Sequence, residues 1–394
     1  MPDPWPLPRG YRYSGVVSGL RSEPNRRDLA VIVSDTPASA AGVFTQNRVC
    51  AAPVQVSRRK LPSSSVRAIV VCSGNANACT GDQGLADAER MCELTAAGIG
   101  CLPEQILVAS TGVIGRPLPM PVLEAGIPKA VAALSADGLS DAAHAILTTD
   151  TRIKVVARRV GECTVTGFAK GAAMIGPNMA TMLGFVLTDY PVAPDDLQVM
   201  LRAETDRSFN CISVEGHTST NDTVFALANG AGPSVRGSAR TDFASALGGV
   251  CHDLARAIAA DAEGANHFIT INVHGCRSSD DARRIAKTVA ESALVKAAVY
   301  GADPNWGRVV SAAGYAGVPF DPCELSLFMG EDDAMPLYRA GVPVPFDTVA
   351  ASAYLRDNRE VEFTLRLSTG YEHCTFYTSD LTPEYVRLNA DYTT

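Results

Sequence analysis

The run Val66-Arg67-Ala68-Ile69-Val70-Val71-Cys72 leads directly into Ser73-Gly74-Asn75-Ala76-Asn77, and this passage decides the fold class. An apolar, β-branched run stopped by small polar residues reads as a strand that ends in a turn. A helix follows, with Ala88, Cys92, Ala96 and Ile99 on one face. A second strand, Gln105-Ile106-Leu107-Val108-Ala109, then delivers another small-residue turn, Ser110-Thr111-Gly112-Val113-Ile114-Gly115. Strand, helix and strand in alternation point to mixed α/β structure. Working outward, the pattern predicts a helix near 122–147 and a strand near 153–160. Later strands fall at 223–228, 267–274 and 360–367, and helices at 240–259 and 281–298. Gly171 to Met182 contains two glycines and a proline, so it fits neither a regular helix nor a central strand. The stretch 318–347, rich in Pro, Gly and Asp, reads as a surface loop.

The chain has 394 residues, with 34 Lys+Arg against 42 Asp+Glu and a formal net charge of −8. That balance supplies no basic footprint for a nucleic-acid partner. Hydrophobic residues make up 46% and charged residues 19%, which is ample for a core. The length implies two domains or one large layered domain. Eleven cysteines, at 50, 72, 79, 92, 101, 163, 211, 251, 276, 323 and 374, include no Cys-x-x-Cys pair. An odd count without that spacing argues against a disulfide framework or zinc ribbon, and for a reduced, cytoplasmic setting. The proline-rich start, Met1 to Pro8, lacks the apolar stretch of a signal peptide. No window reaches the ~18 apolar residues of a membrane span, so a soluble protein without a membrane partner is expected.

The usual catalytic motifs are missing. There is no Walker A loop, no GxGxxG after a strand and no GxSxG elbow. The six histidines, at 144, 217, 252, 267, 274 and 373, form no His-x-x-x-His pair, so neither a metal site nor a histidine triad is expected. What stands out is a set of turns dense in small polar residues: Ser73–Thr80, Ser110–Gly115, Asn178–Thr181 and Thr218–Thr223. Such turns can aim backbone N–H groups at an oxyanion or a carboxylate. Taken singly, each reads more readily as a tight strand-to-helix connection, since Gly and Asn are the ordinary residues of turns.

Taken in order, they read differently. Lys170-Gly171 followed by Pro177-Asn178-Met179-Ala180-Thr181-Met182-Leu183 is preceded by Val43-Phe44-Thr45-Gln46-Asn47-Arg48, Ser73–Gly81 and Ser110–Gly115. It is followed by Ser219-Thr220-Asn221-Asp222-Thr223, Glu263-Gly264-Ala265, Asp303-Pro304-Asn305-Trp306-Gly307-Arg308 and the terminal Asn389-Ala390-Asp391-Tyr392-Thr393-Thr394. This series, spanning nearly the whole chain, resembles the ornithine acetyltransferase (ArgJ) family.

The resemblance implies a precursor that cuts itself between Ala180 and Thr181. The products are an α chain, residues 1–180, and a β chain, residues 181–394, that begins with a nucleophilic threonine. A threonine hydroxyl is a poor nucleophile and needs a base. The freed α-amino group of Thr181, with an ordinary pKa of ~7.7–8.0, lies within reach of its own hydroxyl and can serve without any histidine. Thr181 then takes acetyl from N2-acetyl-L-ornithine and passes it to L-glutamate. Some members of the family also accept acetyl-CoA. The oxyanion donors carried over are the Thr111 hydroxyl and the Gly112 N–H. Substrate contacts carried over are Thr148, Lys170, Thr181, Glu263, Asn389 and Thr394, with Lys170 suited to a carboxylate and Glu263 to an ammonium group. No metal or cofactor is implied.

The implied fold is a layered αββα sandwich of the ornithine acetyltransferase/DmpA-like type, with helices packing two central sheets. The implied assembly is a heterotetramer of two α and two β chains. Two other readings are weighed: an N-terminal-nucleophile amidohydrolase or aminopeptidase, in which water resolves the acyl-enzyme, and a processing-dead paralogue that binds an amino acid or assembles with a partner, against which the intact Ala180-Thr181 junction with Lys170 and Thr111 argues. Several positions depart from the family's pattern. Glu215-Gly216-His217 stands in place of Asp-Gly-Asp, Ala172-Ala173 in place of a Ser/Gly-Gly pair, Ala297 in place of Thr, and Thr378-Ser379-Asp380 in place of Gly-Cys-Asp. None of them is Thr181, Thr111 or Gly112.

Overall fold

The structure, a computed structural model, describes residues 5–176, 182–233 and 239–391. Strand β1 (Tyr11–Val16) pairs antiparallel with β2 (Leu29–Phe44), whose register against β3 (Ser63–Asn75) shifts between Val33 and Ala38. Asp35, Thr36 and Pro37 fill that shift and are exposed. Proline has no N–H for the ladder, so a long strand tolerates it at a bulge, and the strand bends there. Before the bend, β2 lies beside β3, which pairs in parallel with β4 (Ile106–Val113). After it, β2 pairs with β8 (Thr223–Ala228) from Ser39 to Phe44. Beyond β8 follow β7 (Leu183–Thr188), β6 (Cys163–Lys170) and β5 (Lys154–Val160).

Side chains alternate between the two faces of this eight-stranded sheet, as the period of a strand requires. Ala30 and Ile32, Ile69 and Val71, and Leu107 and Ala109 meet Phe168, Phe185, Leu187 and Phe225 in one buried cluster. The alternate residues Val31, Val70 and Val108 pack outward against α2 (Gly81–Ile99) and α3 (Met120–Ala132). On the other half, Val186, Val224 and Ala226 pack outward against α5 (Pro194–Arg207) and α6 (Ala239–Ala260). The layered αββα sandwich is therefore present, with one refinement: its two inner layers are leaves of a single hydrogen-bonded sheet folded through β2. Short helices α1 (Ala52–Arg58) and α4 (Leu139–Ala145) complete this part.

The helix expected near 122–147 is two helices, α3 and α4. Between them Tyr13 N–H donates to the Ser135 carbonyl, and a Cβ at Gly138 would lie 2.3 Å from the Tyr13 oxygen.

A second, six-stranded sheet runs in the order β12 (Val342–Pro343), β11 (Met335–Arg339), β10 (Ser326–Met329), β13 (Glu360–Arg366), β9 (Phe268–Cys276) and β14 (Glu372–Ser379). Around its core pack α7 (Ser279–Glu291), α8 (Ala293–Tyr300), α9 (Trp306–Gly314) and α10 (Thr348–Asp357). The single helix expected at 281–298 breaks at Ser292, whose side chain accepts from Val295 N–H and caps α8. The expectation of a surface loop over 318–347 is corrected. β10 to β12 lie inside it, because Leu327, Met329 and Leu337 are buried while Gly330 and Asp332 supply left-handed turn residues. Helix α11 (Pro383–Asp391) follows β14.

Candidate active site

A small cavity of about 90 Å³ opens where the two leaves, the loop after α6 and helix α11 converge. Thr111 and Gly112 reach it from the end of β4, Lys170 from the end of β6, and Thr148 and Thr149 from the loop before β5. Ser219, Thr220 and Asn221 line it from the approach to β8, with Glu263 and Asn389 on the far side. Of the site residues expected from the sequence, Thr111, Gly112, Thr148, Lys170, Glu263 and Asn389 are brought together here. Ala180, Thr181 and Thr394 lie outside the described residues.

The β4 turn can be built only with glycine at its apex. Gly112 sits at φ +136, and a Cβ there would come within 2.3 Å of the Gly74 carbonyl carbon. Beside it, the Asn221 amide donates to the Ala76 carbonyl at 2.6 Å and to the Ser110 carbonyl at 2.9 Å, while Ser110 Oγ donates to Ala76 O at 2.7 Å. Four polar groups thus lock the β3 and β4 turns to each other.

Lys170 is 1% exposed, and its Nζ donates to Thr111 Oγ1 at 3.2 Å. Burial pulls this ammonium's pKa below its ordinary value, against the opposing pull of Asp150 and Asp222. Asp150 is held from three sides, accepting from Lys154 Nζ at 2.7 Å, Gly171 N–H at 2.6 Å and Thr148 N–H at 3.1 Å. Burial pushes its carboxyl upward, but Lys170, Lys154 and the Gly171 amide outweigh that and keep it below the ordinary range. Lys154 also donates to Asp261 at 2.6 Å, so a buried Asp–Lys–Asp triad ties the Thr148 loop to the end of α6.

Glu263 follows that end of α6. Its N–H donates to the Ala172 carbonyl at 2.9 Å, and burial pushes its carboxyl upward while the Asn389 side chain partly offsets the effect. Gly264, at φ +68, lets Tyr385 of α11 approach, since a Cβ there would stand 2.7 Å from the Tyr385 nitrogen. This close approach carries Asn389 to the cavity.

The described chain stops at Gly176, two residues after the lining residue Met174, and resumes at Met182. The Ile175 carbonyl accepts from Val214, Glu215 and Gly216 N–H at 2.7, 3.3 and 3.2 Å. On the return side, Asp222 Oδ1 accepts from Met182 N–H at 3.0 Å, and Thr223 N–H donates to Met182 O. Burial drives the Asp222 carboxyl well above its ordinary pKa.

The lining residues outside the expected contacts include Ser219, Thr220 and Asn221. The cue was visible, since the small polar run Thr218–Thr223 stands out, but no spacing rule assigns it a partner 111 residues away at Ser110. Among the departures from the family pattern, His217 and Ala297 are exposed, Ala173 lines the cavity, and Thr378 Oγ1 accepts from the buried Lys296 at 3.0 Å. Among the described residues no cluster of His, Cys, Asp or Glu could hold a metal ion. Nor is any described helix long and apolar enough to cross a membrane.

Fold and cavity together place the chain among layered αββα proteins. The sequence profile of the ArgJ family matches residues 12–394. The arginine biosynthesis bifunctional protein ArgJ of Symbiobacterium thermophilum is 48% identical over 396 residues, covering 98% of both chains. Its counterpart in Geobacter sulfurreducens is 45% identical over 395 residues, 98% of this chain and 99% of that one. The solved ArgJ structure from Bacillus halodurans is 36% identical with a TM-score of 0.50, covering 53% of this chain and 98% of that chain. The chain belongs to the ArgJ family.

Proposed function

We propose that the protein is a self-processing acetyltransferase of arginine biosynthesis that moves acetyl from N2-acetyl-L-ornithine to L-glutamate through an ester on Thr181. The observation that carries this reading is the convergence of Thr111, Gly112, Lys170 and Glu263 on one cavity, with Met182, the residue after Thr181, held by Asp222. Full-length relatives named as arginine biosynthesis proteins support it.

Cleavage between Ala180 and Thr181 frees an α-amino group that takes the proton of the Thr181 hydroxyl as it attacks the acetyl carbonyl. The tetrahedral oxyanion is met by the Thr111 hydroxyl and the Gly112 N–H. Lys170 acts through Thr111: an ammonium only donates, so Thr111 Oγ1 is the acceptor in that pair and its own proton is free to turn toward the cavity. Collapse releases ornithine, whose ammonium group Glu263 holds. Glutamate then attacks the acetyl-Thr181 ester and regenerates the free threonine. The half-length match to the Bacillus halodurans chain supports cleavage at this point, since residues 181–394 make up a little over half of the sequence. Acetyl-CoA as a second donor and an (αβ)₂ heterotetramer belong to the same proposal. Loss of acetyl-ornithine measured with and without glutamate tests the acceptor. Acceleration by glutamate identifies a transferase, and a rate indifferent to glutamate identifies a hydrolase.

A further inference from the structure

A second, larger depression of about 850 Å³ lies on the other side of the backbone that walls the cavity. Its floor is the segment after β2: Thr45 Oγ1 donates to Ser219 O at 2.6 Å, and Asn47 Nδ2 donates to Thr218 O at 2.9 Å. Three arginines line it, Arg48, Arg58 and Arg202, against a single carboxylate, Asp206. Asp206 is already engaged, accepting from Asn210 Nδ2 at 2.7 Å. Arg48 and Arg202 make no ion pair or hydrogen bond among the described residues. Arg58 is preset, donating to Thr45 O at 2.9 Å with its guanidinium 5.3 Å from the centre of the Phe44 ring.

In a chain with a net charge of −8, this cluster of guanidinium groups facing one groove is a local positive patch suited to an anion. Arginine forks match phosphate oxygens in paired hydrogen bonds, and an excess of two positive charges asks for a ligand with at least two negative ones. The apolar end, Phe44, Leu61 and Pro62, offers a flat surface beside the charges, and the volume falls within the ~300–1,000 Å³ range of small-molecule sites. We propose that this groove binds a nucleoside diphosphate, its phosphates on Arg48, Arg58 and Arg202 and its base against Phe44 and Leu61. The groove stands apart from the catalytic cavity, so binding there is measured without reference to acyl transfer.

The test is calorimetric titration of the full-length purified protein at low salt, with ADP in one arm and pyrophosphate in the other. The expected result is one saturable ADP site per chain at millimolar concentration or below, with pyrophosphate at least tenfold weaker. Arg48→Ala and Arg202→Ala should each weaken ADP at least tenfold. Both side chains are exposed and unpaired among the described residues, so these variants should keep the parent's melting midpoint. Cys50, which lines the groove beside Arg58, gives a second readout: ADP should slow its alkylation several-fold. No binding in either arm, equal affinity for ADP and pyrophosphate, or affinity unchanged in both arginine variants overturns the proposal.

Discussion

Lys170 Nζ and Thr111 Oγ1 stand 3.2 Å apart, a buried contact between residues 59 positions apart in sequence. The ammonium fixes which lone pair of the threonine is used, and so where its proton can point. Thr111→Val keeps the shape and removes that proton. We expect kcat/KM to fall ~10²–10³-fold with KM nearly unchanged, while Thr111→Ser stays within about tenfold of the parent. Steady-state kinetics of the three proteins decides this, and a Val variant as fast as the parent removes Thr111 from the oxyanion site. Gly112 is unsuited to the same test, because any Cβ there strikes the Gly74 backbone.

Glu263 has its carboxyl pushed above the ordinary value by burial. If its charged form holds an ammonium group, kcat/KM should have an acid limb displaced above pH 4.5. Activity would be lost as pH falls through that raised pKa. Glu263→Gln should raise KM for acetyl-ornithine roughly tenfold or more and abolish the limb. A KM and pH profile identical to the parent's would return Glu263 to the role of a solvated surface charge.

Lys154 bridges Asp150 and Asp261, at 2.7 and 2.6 Å. Lys154→Met leaves two buried carboxylates facing each other and should cost ~3–5 kcal/mol. Adding Asp261→Asn to that variant should recover part of the loss. Urea unfolding reads both, and a loss below about 1 kcal/mol for the single variant contradicts the structural role assigned to the triad.

Glu215 is driven by burial to about 7, although nearby backbone amides and Lys296 pull it down. Among the described residues, neither of its carboxylate oxygens has a hydrogen-bond partner of good geometry. The folded state therefore holds a proton between pH 4.5 and 7 that the unfolded chain releases, and stability falls as pH rises through that window. Glu215→Gln removes the penalty. At pH 8 it should be more stable than the parent by on the order of 2 kcal/mol, and the gap should close by pH 5. Melting midpoints at the two pH values check this, and a gap independent of pH contradicts it.

The local pattern made much of this architecture readable. Residues 223–228 form a strand with the expected bounds, and 66–72 form the heart of β3, because each is an apolar run closed by turn residues. The fold of the sheet onto itself was not readable. Its cue, Pro37 inside a 16-residue strand, marks a bulge but does not say which strand takes up the far half. The hairpin strands within 318–347 were missed because each is no more than five residues long and the stretch as a whole is rich in Pro, Gly and Asp. Thr111, Lys170 and Glu263, each set in a distinctive run of residues, do line one cavity. The triad of Asp150, Lys154 and Asp261 escaped because one of its ion pairs joins residues 107 apart. No periodicity reports such a contact.

In the proposed mechanism Thr181 becomes a free N-terminus and the nucleophile. Intact mass measurement of the purified protein under denaturing conditions tests it most directly. The 41.4 kDa chain should appear as two fragments, roughly 19 and 22 kDa by length, the larger beginning at Thr181, and Thr181→Ala should stay whole and inactive. A parent protein that remains a single 41.4 kDa species while turning over acetyl-ornithine would contradict it.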